Sequence, residues 1–463
     1  MRLVAASLQK LGDFIQLTPL LSALEKERPD CEFFLCFRER AVESALSLFF
    51  PAWQAVPAPE KSGEAPDKRL RGADILVNPS LSPEALDLIF RLKPKRVIGP
   101  RREKDETFIP AAQKLALAVM TLNRRLGRFN LVDLWRSLGE GAPTKLKAPG
   151  LPEEGDGDER FEARETEDFL QGPDPVVALH LGAGHRLRRH PAELASAALL
   201  RAERGRDLKI LLIGTRPERA LGLKFAKLHR EASPGARILN LCGETDLARL
   251  SRLLKRCSLL IAADTGVAHL AAALEVPQLS LFFGPALGHE TAPYREGVSL
   301  VQGLSPCGPC VENKGCARPA CRALPPAELT AALVTELLGD GIGGEKSEEI
   351  APSGGALFET WKGALSPRGF SLVPAPPLPR ALSEETLAAL VIKEAALDTV
   401  LKYPALEKGA FREELKKYPG PKREIREERI IPQLRFVAGK GVKEGSSRND
   451  FFDRARELLR SAV

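Results

Sequence analysis

Short apolar runs alternate with amphipathic stretches through the first two-thirds of this chain. In the first half MRLVAAS, CEFFLCF, ADILVNP and RVIGP are of strand length, and LTPLLSALEKE and AVESALSLFF have helical character. Strands that read as nearly continuous apolar runs are those covered on both faces, so the pattern predicts a parallel sheet with helices on either side. The stretch LKAPGLPEEGDGDERFEARETEDFLQGPDP is acidic and rich in Gly and Pro, and predicts a connection over residues 151–175. A second alternation begins at residue 176, with VVALHLGAG, LKILLIG, ARILNLCG, LLIAAD and QLSLFFG as strands, each followed by a helix-compatible run. The expected fold is α/β, with two Rossmann-like domains, residues 1–150 and 176–338, facing a cleft outside the carboxyl ends of their strands. From Gly339 the run GDGIGGEKSEEIAPSGG reads as a polar linker and the charged stretches beyond it as a helical appendage, together residues 339–463.

Length agrees with two cores: 463 residues at 44% hydrophobic content exceed the roughly 100–200 residues that one core serves. The opening MRLVAASLQKLGDF has no long apolar region or small-residue cleavage site, and no segment reaches about 18 uninterrupted apolar residues; the expectation is a cytoplasmic protein. The net charge of +7 is dispersed among acids and demands no nucleic acid. It suits an enzyme of anionic substrates, peripheral to a negatively charged membrane surface. The basic pair Lys422-Arg423 sits in YPGPKREIREER, where interleaved acids read as a solvated helix face rather than a phosphate track.

Candidate chemistry gathers where predicted strands end. Gly12 and Asp13 fall in the turn between the first strand and its helix. A carboxylate there either caps the helix or faces the cleft, where it can take a proton from an attacking hydroxyl. In the second half His180-Leu181-Gly182-Ala183-Gly184 closes a strand, its glycines leaving backbone N–H groups open to a phosphate. Arg186, Arg188 and Arg189 follow, either a solvated loop or a guanidinium cluster for a pyrophosphate. The strand Leu259–Ala263 ends in Asp264-Thr265-Gly266, with His269 in the first turn of the next helix; that helix start is prepared for an anion, and His269 is either structural or part of the site.

The segments Leu11-Gly12-Asp13 with Thr18-Pro19, Asn240-Leu241-Cys242-Gly243-Glu244-Thr245, Asp264-Thr265-Gly266-Val267-Ala268-His269-Leu270-Ala271-Ala272-Ala273-Leu274 and Leu281-Phe282-Phe283-Gly284-Pro285 resemble glycosyltransferase family nine, the ADP-heptose lipopolysaccharide heptosyltransferases, in the family's own order over about residues 1–338. The resemblance implies the two-domain GT-B fold and an inverting, metal-independent transfer of heptose from ADP-heptose to the lipopolysaccharide core. It implies Asp13 as general base, and a donor site of Gly12, His180, Gly182, Ala183, Gly184, Arg188, Thr215, Glu244, Asp264, Thr265, Gly266 and His269. One departure stands out: the family's Lys-x-Trp-Pro is here Arg188-Arg189-His190-Pro191. A scaffold that binds nucleotide sugar without turnover is the rival that this departure favours and the intact Gly12-Asp13 and Asp264-Thr265-Gly266 turns oppose.

Of eight cysteines, four lie close together as Cys307, Cys310, Cys316 and Cys321, in the spacing C-x2-C-x5-C-x4-C. Four thiolates so near one another suit a closed tetrahedral site for structural zinc or iron, with no open position for chemistry; the resemblance implies no cofactor for catalysis. Protein-modifying autotransporter heptosyltransferases of the same family carry an iron bound by four cysteines, so the resemblance admits a protein acceptor as well as a lipopolysaccharide one.

Overall fold

The structure is a computed structural model. It describes residues 1–60, 64–103, 106–110, 130–139, 142–143, 145–151, 164–204, 206–304, 327–339, 357–366 and 369–374. The four clustered cysteines, and the appendage beyond residue 374, lie outside the described residues.

The first half is a five-stranded sheet in the order β3-β2-β1-β4-β5, parallel throughout: β1 Arg2–Ser7, β2 Glu32–Phe37, β3 Gln54–Pro57, β4 Ile75–Val77 and β5 Arg96–Ile98. Five of six positions in β1 and all of β4 are buried, as an apolar run covered on both sides requires. Helices α1 Leu11–Glu27, α2 Arg40–Phe49 and α3 Pro83–Leu92 supply cover. α3 is bounded by its own residues: the Ser82 hydroxyl accepts from the Ala85 N–H, Pro83 opens the first turn, and Lys93 ends it in the left-handed region. An antiparallel pair, β6 Arg101–Glu103 and β7 Glu106–Phe108, follows β5. α4, Leu131–Arg136, then packs on α1.

The second half is wound in the same sense. β10-β9-β8-β11-β12-β13 run parallel, comprising β8 Val176–His180, β9 Lys209–Leu212, β10 Arg237–Asn240, β11 Leu259–Ala263, β12 Gln278–Phe282 and β13 Ser299–Leu304. β8, β9, β11 and β12 are buried at every position. The helices are α5 Arg164–Leu170, α6 Ala192–Ala202, α7 Arg219–Ala232, α8 Leu247–Lys255, α9 Gly266–Ala273, α10 Gly288–Thr291 and α11 Ala327–Leu337. Both expected α/β units are therefore present, and in each the strand order reverses beside the central strand, β1 or β8.

Two described elements lie in the stretches read from the sequence as connection and appendage. The connection over 151–175 contains α5, which docks on the second half: Arg249 Nη2 donates to Thr166 Oγ1 at 3.4 Å. Within the stretch expected as linker and helical appendage, the described residues form a hairpin, β14 Leu357–Ser366 and β15 Gly369–Pro374, with β14 antiparallel to both β13 and β15. It lengthens the second sheet to eight strands, with Trp361 buried at 2% exposure. Phe358, Thr360 and Trp361 give this segment the aromatic and β-branched content that favours a strand.

The halves share one core. Phe14, Leu17 and Leu21 of α1 belong to the same buried cluster as Ala268, Leu270 and Ala271 of α9, and these two helices pack directly across the seam. Among the described residues no helix is long and apolar enough to cross a membrane.

Candidate active site

In doubly wound sheets a ligand sits outside the carboxyl ends of the strands where the strand order reverses. Here that rule selects the turns after β1, β8 and β11, which meet across the seam. A Cβ added to Gly12 would lie 2.9 Å from His269 Cδ2, and one on Gly184 would lie 2.9 Å from Lys10 Nζ. Only a residue without a side chain lets the start of α1 come this close to α9.

Asp13 caps its helix and also faces across the seam. Its Oδ2 accepts from the Lys10 backbone N–H at 3.1 Å, capping α1, and the same carboxyl faces His269 and Asp264 closely enough to feel their charge. Burial raises its pKa above the ordinary 3.8, against the lowering pull of the Lys10 N–H and His269. A carboxylate made more basic by burial is a better proton acceptor at neutral pH.

Opposite it, Arg188 Nη1 donates to Asp264 Oδ2 at 2.8 Å, and His269 Nε2 lies 3.8 Å from Asp264 Oδ1. Burial pushes the Asp264 carboxyl up, but His269 and Arg188 more than offset it and hold it below the usual carboxylate range. Arg188 belongs to a short 3-10 turn, Arg186–Arg188, and points at Asp264; Arg186 and Arg189 are exposed on the other side of the loop, beside His190. Of the three arginines that the sequence offers, the fold delivers one. His190 is 4% exposed, and burial lowers its pKa to about 4, so it is neutral at pH 7.

The remaining residues converge on Glu218, which the sequence reading missed. Thr215 donates to Glu218 Oε2 from its N–H at 2.7 Å and its hydroxyl at 2.8 Å; His180 Nε2 lies 3.4 Å from the same oxygen, and His180 Nδ1 3.3 Å from Thr265 Oγ1. Burial pushes the Glu218 carboxyl up, yet His180 and Thr215 together bring it down to about 2. A Cβ on Gly182 would fall 1.7 Å from Glu218 Oε1, so Gly182 is what admits this carboxylate to the end of β8. The signal available in the sequence was Thr-x-x-Glu just after a strand, a capping box.

Glu244 stands apart. It is exposed, paired with Arg219, and lines a separate cleft of about 510 Å³ beside β10 with Asn240 and Arg249. Ala183 is buried, and its carbonyl is 3.5 Å from Arg189 Nε. Gly12, Asp13, His180, Gly182, Gly184, Arg188, Thr215, Asp264, Thr265, Gly266 and His269 all border the seam or the Glu218 network next to it. Among the described residues no group of three or more His, Cys, Asp or Glu is arranged to hold a metal.

Residues 120–320 match the model of glycosyltransferase family 9 (heptosyltransferase). Lipopolysaccharide heptosyltransferase 1 of Pseudomonas aeruginosa is 40% identical over 67 residues, a stretch that covers 14% of this chain and 19% of that protein. The chain thus spans about a fifth of the curated relative's length. Among solved structures, E. coli ADP-heptose lps heptosyltransferase II superposes with a TM-score of 0.51 at 19% identity, covering 73% of this chain and 99% of that one. The glycosyltransferase family 9 protein of Veillonella parvula does so with a TM-score of 0.46 at 18% identity, over 64% and 83%.

Proposed function

We propose that this chain, which carries a glycosyltransferase family 9 domain over residues 120–320, transfers a heptose from ADP-heptose to a sugar of the lipopolysaccharide core, with inversion at the anomeric carbon. One observation carries the reading: a basic-shifted carboxylate, Asp13, faces the start of α9 and the Arg188–Asp264–His269 group across the seam. The donor's diphosphate lies against Gly182 to Gly184 and the first turn of α9, whose N–H groups have no intrahelical partner. Glu218 keeps Thr215 and His180 in place at the strand ends, and Glu244 serves the nucleoside from the neighbouring cleft. The acceptor hydroxyl attacks the anomeric carbon as Asp13 takes its proton. The bond from that carbon to the phosphate oxygen breaks on the opposite face, and ADP departs toward Arg188, His269 and the helix N-terminus, which stabilise its charge. A single base and one in-line displacement give inversion. On this reading the enzyme works in the cytoplasm, at the inner face of the membrane that holds its acceptor.

The test is Asp13→Asn. Transfer from ADP-heptose is expected to fall roughly a hundredfold or more, while calorimetric affinity for ADP stays within about a factor of two because the donor contacts lie in the second half. Wild-type protein that binds ADP, UDP and GDP alike, or an Asn variant that transfers at the wild-type rate, overturns the proposal.

A further inference from the structure

Lys10 stands at the N-cap of α1, three residues before Asp13, and its ammonium reaches the other half of the chain. The point that a Cβ on Gly184 would occupy lies 2.9 Å from Lys10 Nζ and 3.6 Å from Arg188 Nη2. Two cations, one from each half, thus converge on the end of a single turn. Arg188 has a counter-charge there, because its Nη1 donates to Asp264 Oδ2 at 2.8 Å. Lys10 is exposed, and its ammonium has no ion-pair partner among the described residues; Asp13 accepts from its backbone N–H instead. The turn has donors to spare as well: the N–H groups of Gly182, Ala183 and Gly184 donate to no group among the described residues.

The chemistry of these groups selects an anion. Like charges brought to one point repel unless an acid lies between them or a ligand does, and the one acid present serves Arg188. Successive unpaired N–H groups form a concavity for phosphate oxygens, and an ammonium adds a compact charge with three donors. The position of Lys10 also says which phosphate it meets. Asp13 has to reach the hydroxyl that attacks the anomeric carbon, so the phosphate joined to that carbon is the one nearest this turn of α1, where Lys10 also lies.

We propose that Lys10 is a donor ligand supplied by the first half, its ammonium binding the sugar-linked phosphate of a nucleoside diphosphate sugar beside Arg188. As the bond from the sugar to that phosphate breaks, Lys10 takes up part of the charge that develops on the departing oxygen. The inference rests on the proposed glycosyltransfer for its substrate class, and adds one contact from the first half to the donor contacts of the second.

The experiment is calorimetric titration of full-length wild type, Lys10→Met and Lys26→Met with ADP and with AMP, which lacks the second phosphate. Met keeps the unbranched stem and the backbone N–H that Asp13 accepts, and removes the charge. Lys26 lies in the last turn of α1, about 24 Å along the helix, so its variant loses the same charge away from the seam. Lys10→Met is expected to bind ADP about tenfold or more weakly and AMP within about a factor of two, with Lys26→Met like the wild type for both. With saturating ADP-heptose, kcat of Lys10→Met is expected to fall by about tenfold or more, since the charge it meets is largest in the transition state. Unchanged ADP affinity in Lys10→Met, an equal loss for ADP and AMP, or the same loss in Lys26→Met overturns the inference, as does a wild type that binds no nucleoside diphosphate. If the wild type prefers another base, the comparison is made with that nucleoside's di- and monophosphate, and only the choice of ADP fails. The expected binding pattern without heptose transfer counts against the proposed function alone.

Discussion

Replacing Glu218 by Gln removes one charge and almost no volume from the network that supports the donor side. The Glu218 side chain is 16% exposed and receives two hydrogen bonds from Thr215, with His180 at 3.4 Å. Its pKa falls from an ordinary 4.5 to about 2 in the folded protein. At about 1.36 kcal/mol for each tenfold step, that fall corresponds to about 3 kcal/mol of stability. Because the folded value is the lower one, the contribution is complete above about pH 5 and is lost as pH drops from about 4.5 toward 2. Urea unfolding of wild type and Glu218→Gln at pH 7 and pH 3 reads this directly. The variant is expected to be less stable by about 3 kcal/mol at pH 7, with the gap shrinking to about half by pH 3. A gap that is the same at both pH values, or smaller than about 1 kcal/mol at pH 7, refutes the argument that His180 and Thr215 stabilise a charged carboxylate there.

Three further outcomes follow from particular contacts. Gly182→Ala places a methyl carbon 1.7 Å from Glu218 Oε1, so the carboxylate must leave Thr215; calorimetry should show ADP affinity weakened by about tenfold or more. Asp133 Oδ1 accepts from the Tyr294 hydroxyl at 2.6 Å and Arg136 Nη1 at 3.0 Å, all three residues being buried, and this group ties α4 to the second half. Asp133→Ala should therefore cost about 3–5 kcal/mol in urea unfolding, against about 1–2 for Tyr294→Phe; equal costs would show that the carboxylate is not the shared element. If Cys307, Cys310, Cys316 and Cys321 close a structural metal site, elemental analysis of purified protein will find close to one zinc or iron per chain, lost on Cys310→Ser with ADP binding retained.

The apolar runs determined the two doubly wound units by themselves, because a strand buried on both faces has to be apolar at nearly every position, and that constraint is local. The turns that carry Gly12-Asp13, Gly182 to Gly184 and Asp264-Thr265-Gly266 were legible for the same reason: each follows a strand whose end the sequence marks. The meeting of these turns was not local. Whether Asp13 caps α1 or faces a partner depends on α9, more than 250 residues away in the chain, packing against it, and both prove true. Arg186, Arg188 and Arg189 are equivalent as sequence; the winding of one short turn sends only Arg188 to Asp264. Glu218 carries no motif strong enough to single out, and it matters because burial and the partners His180 and Thr215 change what a carboxylate does. Periodicity records the environment of each segment, whereas the chemistry of the site arises from contacts between segments that only the folded chain brings together.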